Sequence, residues 1–296
     1  MATPTSSILG EIGAAIARRV SLLLLTILAA ALLSAALVRV APGFAMDERL
    51  LDLHLSEESI AAARARASPP SLLAGFRDYL TGLACGDWGS SISLGRPVRE
   101  LVGERARVTL RTLACGLILA WGLSLSLSLV LERLHRRGPD VAATLATGGL
   151  LCLPAAVVAL VFLYLDGGPG LALAAILCPR LFRYVRNILA AASRRPHVVA
   201  ARARGAGGMG LLWRHVCVPA APELLALGGV SASMAIGAAI PVEALCDSPG
   251  VGQLVWQSAM ARDLPVLMHL TVLVALATGG ANLLADGARA LAARGA

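Results

Sequence analysis

Glu243 is an ionisable residue near the end of an otherwise apolar run. A carboxylate in that setting marks either a functional site or a partnership with a nearby Arg or backbone donor. The other residue types that carry chemistry are present without the spacing that chemistry needs. Five His are scattered with no metal-ligand pattern. The six Cys (Cys85, Cys115, Cys152, Cys178, Cys217 and Cys246) include no CxxC pair. Cys115 and Cys152 lie in apolar runs, where a thiol behaves as a small hydrophobe. Cys85 and Cys246 fall on the same predicted side, which leaves a disulfide between them open. Ser124, Ser126 and Ser128 alternate by two, which spreads them around a helix, so they read as packing or backbone-bonding residues. Neither an HExxH metal motif nor a GxSxG nucleophile elbow occurs. All 26 basic residues are Arg. Without a Lys to reach nucleotide phosphates, the chain cannot carry a P-loop.

The elements that position these residues are set by the solvent. Of 296 residues, 57% are apolar and 15% charged, with mean hydropathy +0.75. Soluble domains carry about 25% charged residues, and disorder requires low hydrophobicity, so both classes are excluded. The formal net charge of +8 could suggest nucleic acid, but aromatics are 4% and the Arg flank apolar runs, which suits a membrane surface better. Runs long enough to span a bilayer fall at Val20–Val40, Val108–Leu131, Val141–Leu165, Gly170–Leu189, Leu224–Leu245 and Pro265–Ala285. The first is too long for the apolar core of a signal peptide and reads as an uncleaved span. An all-α membrane protein with six spans follows.

Arg distribution orients those spans. With the N-terminus inside, the inner segments collect Arg18, Arg19, Arg133, Arg136 and Arg137, then eight Arg from Arg180 to Arg214, then Arg289 and Arg294. The short outer loops hold only Arg262. Both termini are therefore expected in the cytoplasm, with residues 58 and 253 outside and residue 207 inside. The polar stretch 41–107 forms an outer segment, in which Ser56–Ala67 reads as a short helix closed by Pro69 and Pro70. The chain divides into an N-terminal span with this segment, 1–107, and a five-helix core, 108–296. Pro154 and Pro179 fall within or at the end of spans and predict kinks used for packing.

The connection His197–Pro222 is the most specific stretch. Val198–Arg204 is helix-prone and ends at Gly205, the residue best suited to a left-handed stop. A second short helix is expected over Leu211–Val218, ahead of Pro219 and Pro222. Two short helices about a glycine elbow make a protruding knob with Arg202, Arg204, Arg214 and His215 on its polar face. Composition alone also fits a solvated basic loop.

This segment resembles the cytoplasmic loop of binding-protein-dependent ABC import permeases. Ala201, Arg202, Ala203, Arg204 and Gly205 match the dipeptide, oligopeptide and nickel branch, and Arg214 and His215 fall at the expected distance. Gly207, Gly208 and Gly210 depart from the more polar residues usual there. Arg18-Arg19 through Ala41-Pro42-Gly43 resembles the entry span of the branch's first permease subunit. Gly86-Asp87-Trp88-Gly89-Ser90-Ser91 with Pro97-Val98 and Thr109-Leu110 resembles its outer segment. Pro241-Val242-Glu243, Ser248-Pro249-Gly250-Val251-Gly252 and Arg262-Asp263-Leu264-Pro265 resemble its fifth span and outer loop. The connection Asp166–Gly170 is shorter than the family leads one to expect.

The resemblance implies a type I ABC importer permease fold in a bacterial inner membrane. It also implies half of a translocation pore for peptides, nickel chelates or similar solutes, with no cofactor and no nucleic acid. A second permease subunit, two cytoplasmic ATP-binding subunits gripping the knob, an extracytoplasmic solute-binding protein and membrane lipid are the implied partners. Ala201 to Gly205, Arg214 and His215 would couple to the ATPase. Gly86, Asp87, Gly89, Glu243, Pro249, Gly250, Gly252, Asp263 and Pro265 would shape the outer and pore region. Gly250 and Gly252 are expected in a tight turn at φ > 0. A secondary transporter or channel is the competing reading, but it would usually show paired broken spans or more intramembrane charge.

Overall fold

The computed structural model describes residues 18–19, 21–33, 36, 77, 79, 81–83, 85–134 and 137–292. The expected helix Ser56–Ala67 and the outer position 58 lie outside the described residues. Among those described, the chain is helical, with no β-strand beyond an isolated bridge between Ser90 and Pro97. Helix α1 covers Ser21–Leu33, α2 Val98–Leu134, α3 Arg137–Leu151, α4 Ala155–Tyr164 and α5 Pro169–Ser193. Then follow α6 at Pro196–Ala203, α7 at Gly208–Leu245, α8 at Val251–Met260 and α9 at Leu264–Ala292. Helices α2, α7 and most of α9 are long and apolar enough to cross a membrane, and α3 with α4 would add a fourth crossing if taken as one.

Three elements differ from their sequence expectation. The run Val141–Leu165 is not one helix, since α3 and α4 meet at 92°. Pro154 stands at the start of α4 with ψ 137°. Its ring disfavours helical geometry at Leu153, and with no N–H to donate back into α3 the Leu150 carbonyl is taken instead by Leu153 N–H at 3.2 Å, so the kink becomes a break. Pro179, by contrast, sits inside α5 without ending it. Helix α2 begins at Val98, well before the apolar run and directly after Pro97, and Glu100 in its first turn suits the helix dipole.

The third difference is the expected free-standing helix Leu211–Val218, which is instead the first part of α7. Leu212–Cys217 forms a π-helical turn and Val218–Leu245 continues from it, with Pro219 and Pro222 inside. Pro219 cannot donate to the carbonyl of His215, and that carbonyl accepts from His197 Nε2 at 3.0 Å. The side-chain donor replaces the missing backbone bond, so the helix continues through the proline.

The described residues fall into two compact units. One comprises the residues up to Gly103 together with Gln257–Leu276, and its core joins Ile27 and Ala31 of α1 to Val272 of α9. The other comprises Glu104–Trp256 with the residues from Ala277 onward. Its core runs along α5 through Leu173, Leu177, Leu181, Val185 and Leu189, continued by Val198, Leu211, Leu212 and Val216. Helices α2 and α5 approach closely where Gly116 faces Leu173 and Gly170 faces Cys115. Trp121 Nε1 donates to Ser231 Oγ at 3.0 Å, tying α2 to α7. Ser124 donates to the carbonyl of Cys178 and Ser126 to that of Gly122, as packing and backbone-bonding serines would. All six cysteines are free thiols.

Candidate functional site

The connection 197–222 is built on a packed inner face and a basic outer one. Val198 and Ala201 of α6 are buried with Leu211, Leu212 and Val216 of α7. Ala201 is therefore a packing residue. Arg202, Ala203, Arg204, Gly205 and Arg214 are exposed, and His215 is half-buried. Helix α6 ends in a Schellman motif, with Ala206 N–H donating to Ala201 O at 3.0 Å and Gly205 N–H to Arg202 O at 2.9 Å. Gly205 takes φ +89°, the left-handed value its position requires, and Gly208 takes φ +67°. Side chains that the sequence did not single out brace the connection. Arg195 pairs with Glu223 at 2.7 Å and donates to Pro219 O at 3.3 Å.

In the same unit, Glu243 is fully buried near the C-terminal end of α7. Its Oε2 accepts from Thr109 Oγ1 at 2.9 Å and from Gly252 N–H at 2.8 Å. Thr109 in turn accepts from Val251 N–H at 2.8 Å. The carboxyl thus gathers α2, α7 and the start of α8, and its partners are a hydroxyl and a backbone donor, with no Arg among them. Glu243 Oε1 has no hydrogen-bond partner among the described residues. Gly250 and Gly252 do not take positive φ, contrary to expectation. The left-handed residue of this turn is Asp247, at φ 48°. The glycines are needed for space: a Cβ on Gly250 would lie 2.6 Å from Glu243 Oε1, and one on Gly252 2.6 Å from Ile240 Cα. Pro249 is exposed at the tip. Gln253, expected at an accessible outer position, is 7% exposed, and Arg105 Nη1 donates to its Oε1 at 2.7 Å.

Within the other unit, Asp263 is the organising acid. It is 1% exposed, and its Oδ2 accepts from Ser91 Oγ, from Ser93 N–H at 3.0 Å and from Ser93 Oγ at 2.7 Å. Burial opposes the charge, but the hydrogen bonds from Ser91 and Ser93 outweigh it and hold the carboxyl below the usual carboxylate value. Gly86 and Gly89 turn the chain at φ +77° and +63°, and Asp87 Oδ1 accepts from Gly89 N–H at 2.9 Å. Trp88 stacks on His269 at 5.3 Å, while the carbonyl of Pro265 accepts from His269 Nδ1 at 2.7 Å. The sequence matches at 86–91 and 262–265 therefore form one hydrogen-bonded and stacked assembly, whereas Glu243 belongs to a separate one.

A charged cluster passed over as topological Arg lies at the other end of the second unit. Arg186 of α5 pairs with Glu132 of α2 at 2.6 Å and with Asp140 of α3 at 2.7 Å. Glu132 is 7% exposed. The sequence signal was present, as acids at the ends of two apolar runs and an Arg at the end of a third, but their proximity was not. No group of three or more His, Cys, Asp or Glu able to hold a metal occurs among the described residues.

Residues 124–296 match the family described as binding-protein-dependent transport system inner membrane component. The chain is also similar to the nickel import system permease protein NikB of several Staphylococcus aureus strains. It is 25% identical to that of strain MRSA252 over 268 residues, covering 84% of this chain and 81% of the relative. Identity and coverage are the same for strain bovine RF122 / ET3-1. For strain USA300 the identity is 24% over 267 residues.

Proposed function

As a member of the binding-protein-dependent transport system inner membrane component family, the chain is a multi-pass permease subunit of an ABC importer of the peptide and nickel branch, and we propose that it couples to its ATPase through the connection 197–222. The observation carrying this reading is the exposed basic rim Arg202, Arg204 and Arg214 on a packed, Schellman-capped support. A solvated loop serving only topology needs no buried apolar face and no braced proline. Here both are present, so force applied at the rim is transmitted into α5 and α7.

In this reading the chain crosses the membrane six times with both termini in the cytoplasm, and residues 108–296 form the transport core. Two cytoplasmic ATP-binding subunits supply hydrolysis, a second permease completes the pore, and an extracytoplasmic solute-binding protein delivers cargo. ATP-driven closure of the ATPase pair favours one state of the permease only insofar as its contacts with the rim differ between states. Asp263 with Gly86, Asp87, Gly89 and Pro265 in one unit, and Glu243 with Pro249, Gly250 and Gly252 in the other, are each assigned to the outer and pore region. Nickel chelates are the cargo class favoured by the similarity to nickel permeases, with short peptides the second. Pull-down of ATPase subunits with Arg202→Glu/Arg204→Glu, beside uptake of nickel and of dipeptides in the same membranes, tests it. Wild-type pull-down by the variant would refute the coupling role.

A further inference from the structure

The Arg186 cluster borders a cavity of about 380 Å³ lined by Glu132, Arg137, Asp140, Arg186, Arg194 and Arg202 among others. Four arginines face two carboxylates there, an excess of two positive charges. Both carboxylates are already engaged by Arg186. Arg137, Arg194 and Arg202 are exposed and make no ion pair among the described residues. Mutual repulsion of three such guanidinium groups around one concavity is relieved most directly by an anion. Guanidinium forks match phosphate oxygens bidentately, and the volume suits a small polar group, at the lower end of ligand pockets.

We infer that this cavity binds the phosphodiester headgroup of an acidic phospholipid. The choice of lipid over a free anion rests on the apolar side chains that line the cavity with the arginines. Leu131, Ala190 and Val199 line the cavity beside the charged groups, and the Val199 side chain is exposed. They offer acyl chains a surface beside the headgroup, which a free phosphate would not use. Basic pockets between spans on the cytoplasmic side are suited to anionic headgroups. The inference rests on the orientation proposed above, because acidic lipid is presented from the inner leaflet. Since Arg202 lies both in the cavity and on the basic rim, a lipid held there adjoins the coupling surface.

The test uses the full chain in nanodiscs of POPC doped with POPG, with retained lipid counted by native mass spectrometry after release. Wild type is expected to retain POPG in preference to POPC. Each basic residue near anionic lipid contributes about five-fold, so Arg137→Gln/Arg194→Gln is expected to lower that preference roughly 30-fold. Arg137→Lys/Arg194→Lys keeps the charge and is expected to retain most of it. Equal retention of the two lipids by wild type, or undiminished preference in the Gln variant, would overturn the inference. So would stripping of POPG by excess inorganic phosphate, which would assign the cavity to a free anion. Orientation is read separately with Gly138→Cys in a Cys-free background. Labelling from outside would overturn the orientation alone.

Discussion

Gly250→Ala probes the Glu243 assembly by adding one methyl group. In the folded chain that methyl lies within 2.6 Å of Oε1 and closer still to Oε2 and Cδ of a carboxyl that is fully buried. Overpacking of this kind costs about 1–3 kcal/mol. If the carboxyl swings away, it forfeits the bonds from Thr109 and Gly252, each worth about 1 kcal/mol. The total, about 3–5 kcal/mol, corresponds to a fall in apparent melting midpoint of roughly 6–20 °C. The cost is steric and specific to Glu243, because Gly250 has no positive φ to lose. In a Glu243→Ala background the same substitution is therefore expected to cost less than about 1 kcal/mol, a coupling that a double-mutant cycle measures directly. The assay is thermal unfolding of the four proteins in one detergent, followed by fluorescence-detected size exclusion. If Gly250→Ala is as harmful without Glu243 as with it, the reasoning is wrong.

The remaining predictions concern the other sites. A Cβ at Gly205 meets no atom within 4 Å, so the cost of Gly205→Val, about 1–3 kcal/mol, is set by its positive φ; the variant is expected to insert normally yet lose ATPase pull-down and uptake, and wild-type values for both would refute the cap's role. Asp263 has a depressed folded pKa, so its contribution to stability is present above the unfolded value of about 3.9. It is lost as pH falls through the folded value, and Asp263→Asn is expected to melt lower than wild type at pH 7 with the gap closing on acidification; a constant gap would contradict this. The isolated chain is expected neither to bind nor to hydrolyse ATP above background, measured on contaminant-free protein, and stoichiometric hydrolysis would refute the division of labour. External cysteine labelling is expected at the exposed position 261 and not at 207, with weak labelling at the buried position 253; strong external labelling at 207 would reverse the topology.

The membrane environment, the helical class, the basic connection and the stop at Gly205 were legible in the sequence, because each depends on local properties. Apolar content selects the solvent, and a glycine after a helical run answers a need confined to a few consecutive residues. What the tertiary structure alone decided concerns partners far apart in the chain. Glu243 announced itself as a carboxylate in an apolar run, but Thr109, which donates to it, is 134 positions away. The glycines beside it read as residues chosen for φ, whereas Gly250 is required for room beside that carboxyl and Gly252 for room against the backbone of Ala239 and Ile240. Pro219 and Pro222 marked a helix boundary by every local rule, yet His197 satisfies the carbonyl that Pro219 leaves open, and α7 runs through both. Arg186 counted only as positive charge near a membrane surface until folding brought Glu132 and Asp140 to either side of its guanidinium. Composition and short-range pattern determine what each segment is, while the pairing of buried polar groups depends on packing distances that the local sequence does not encode.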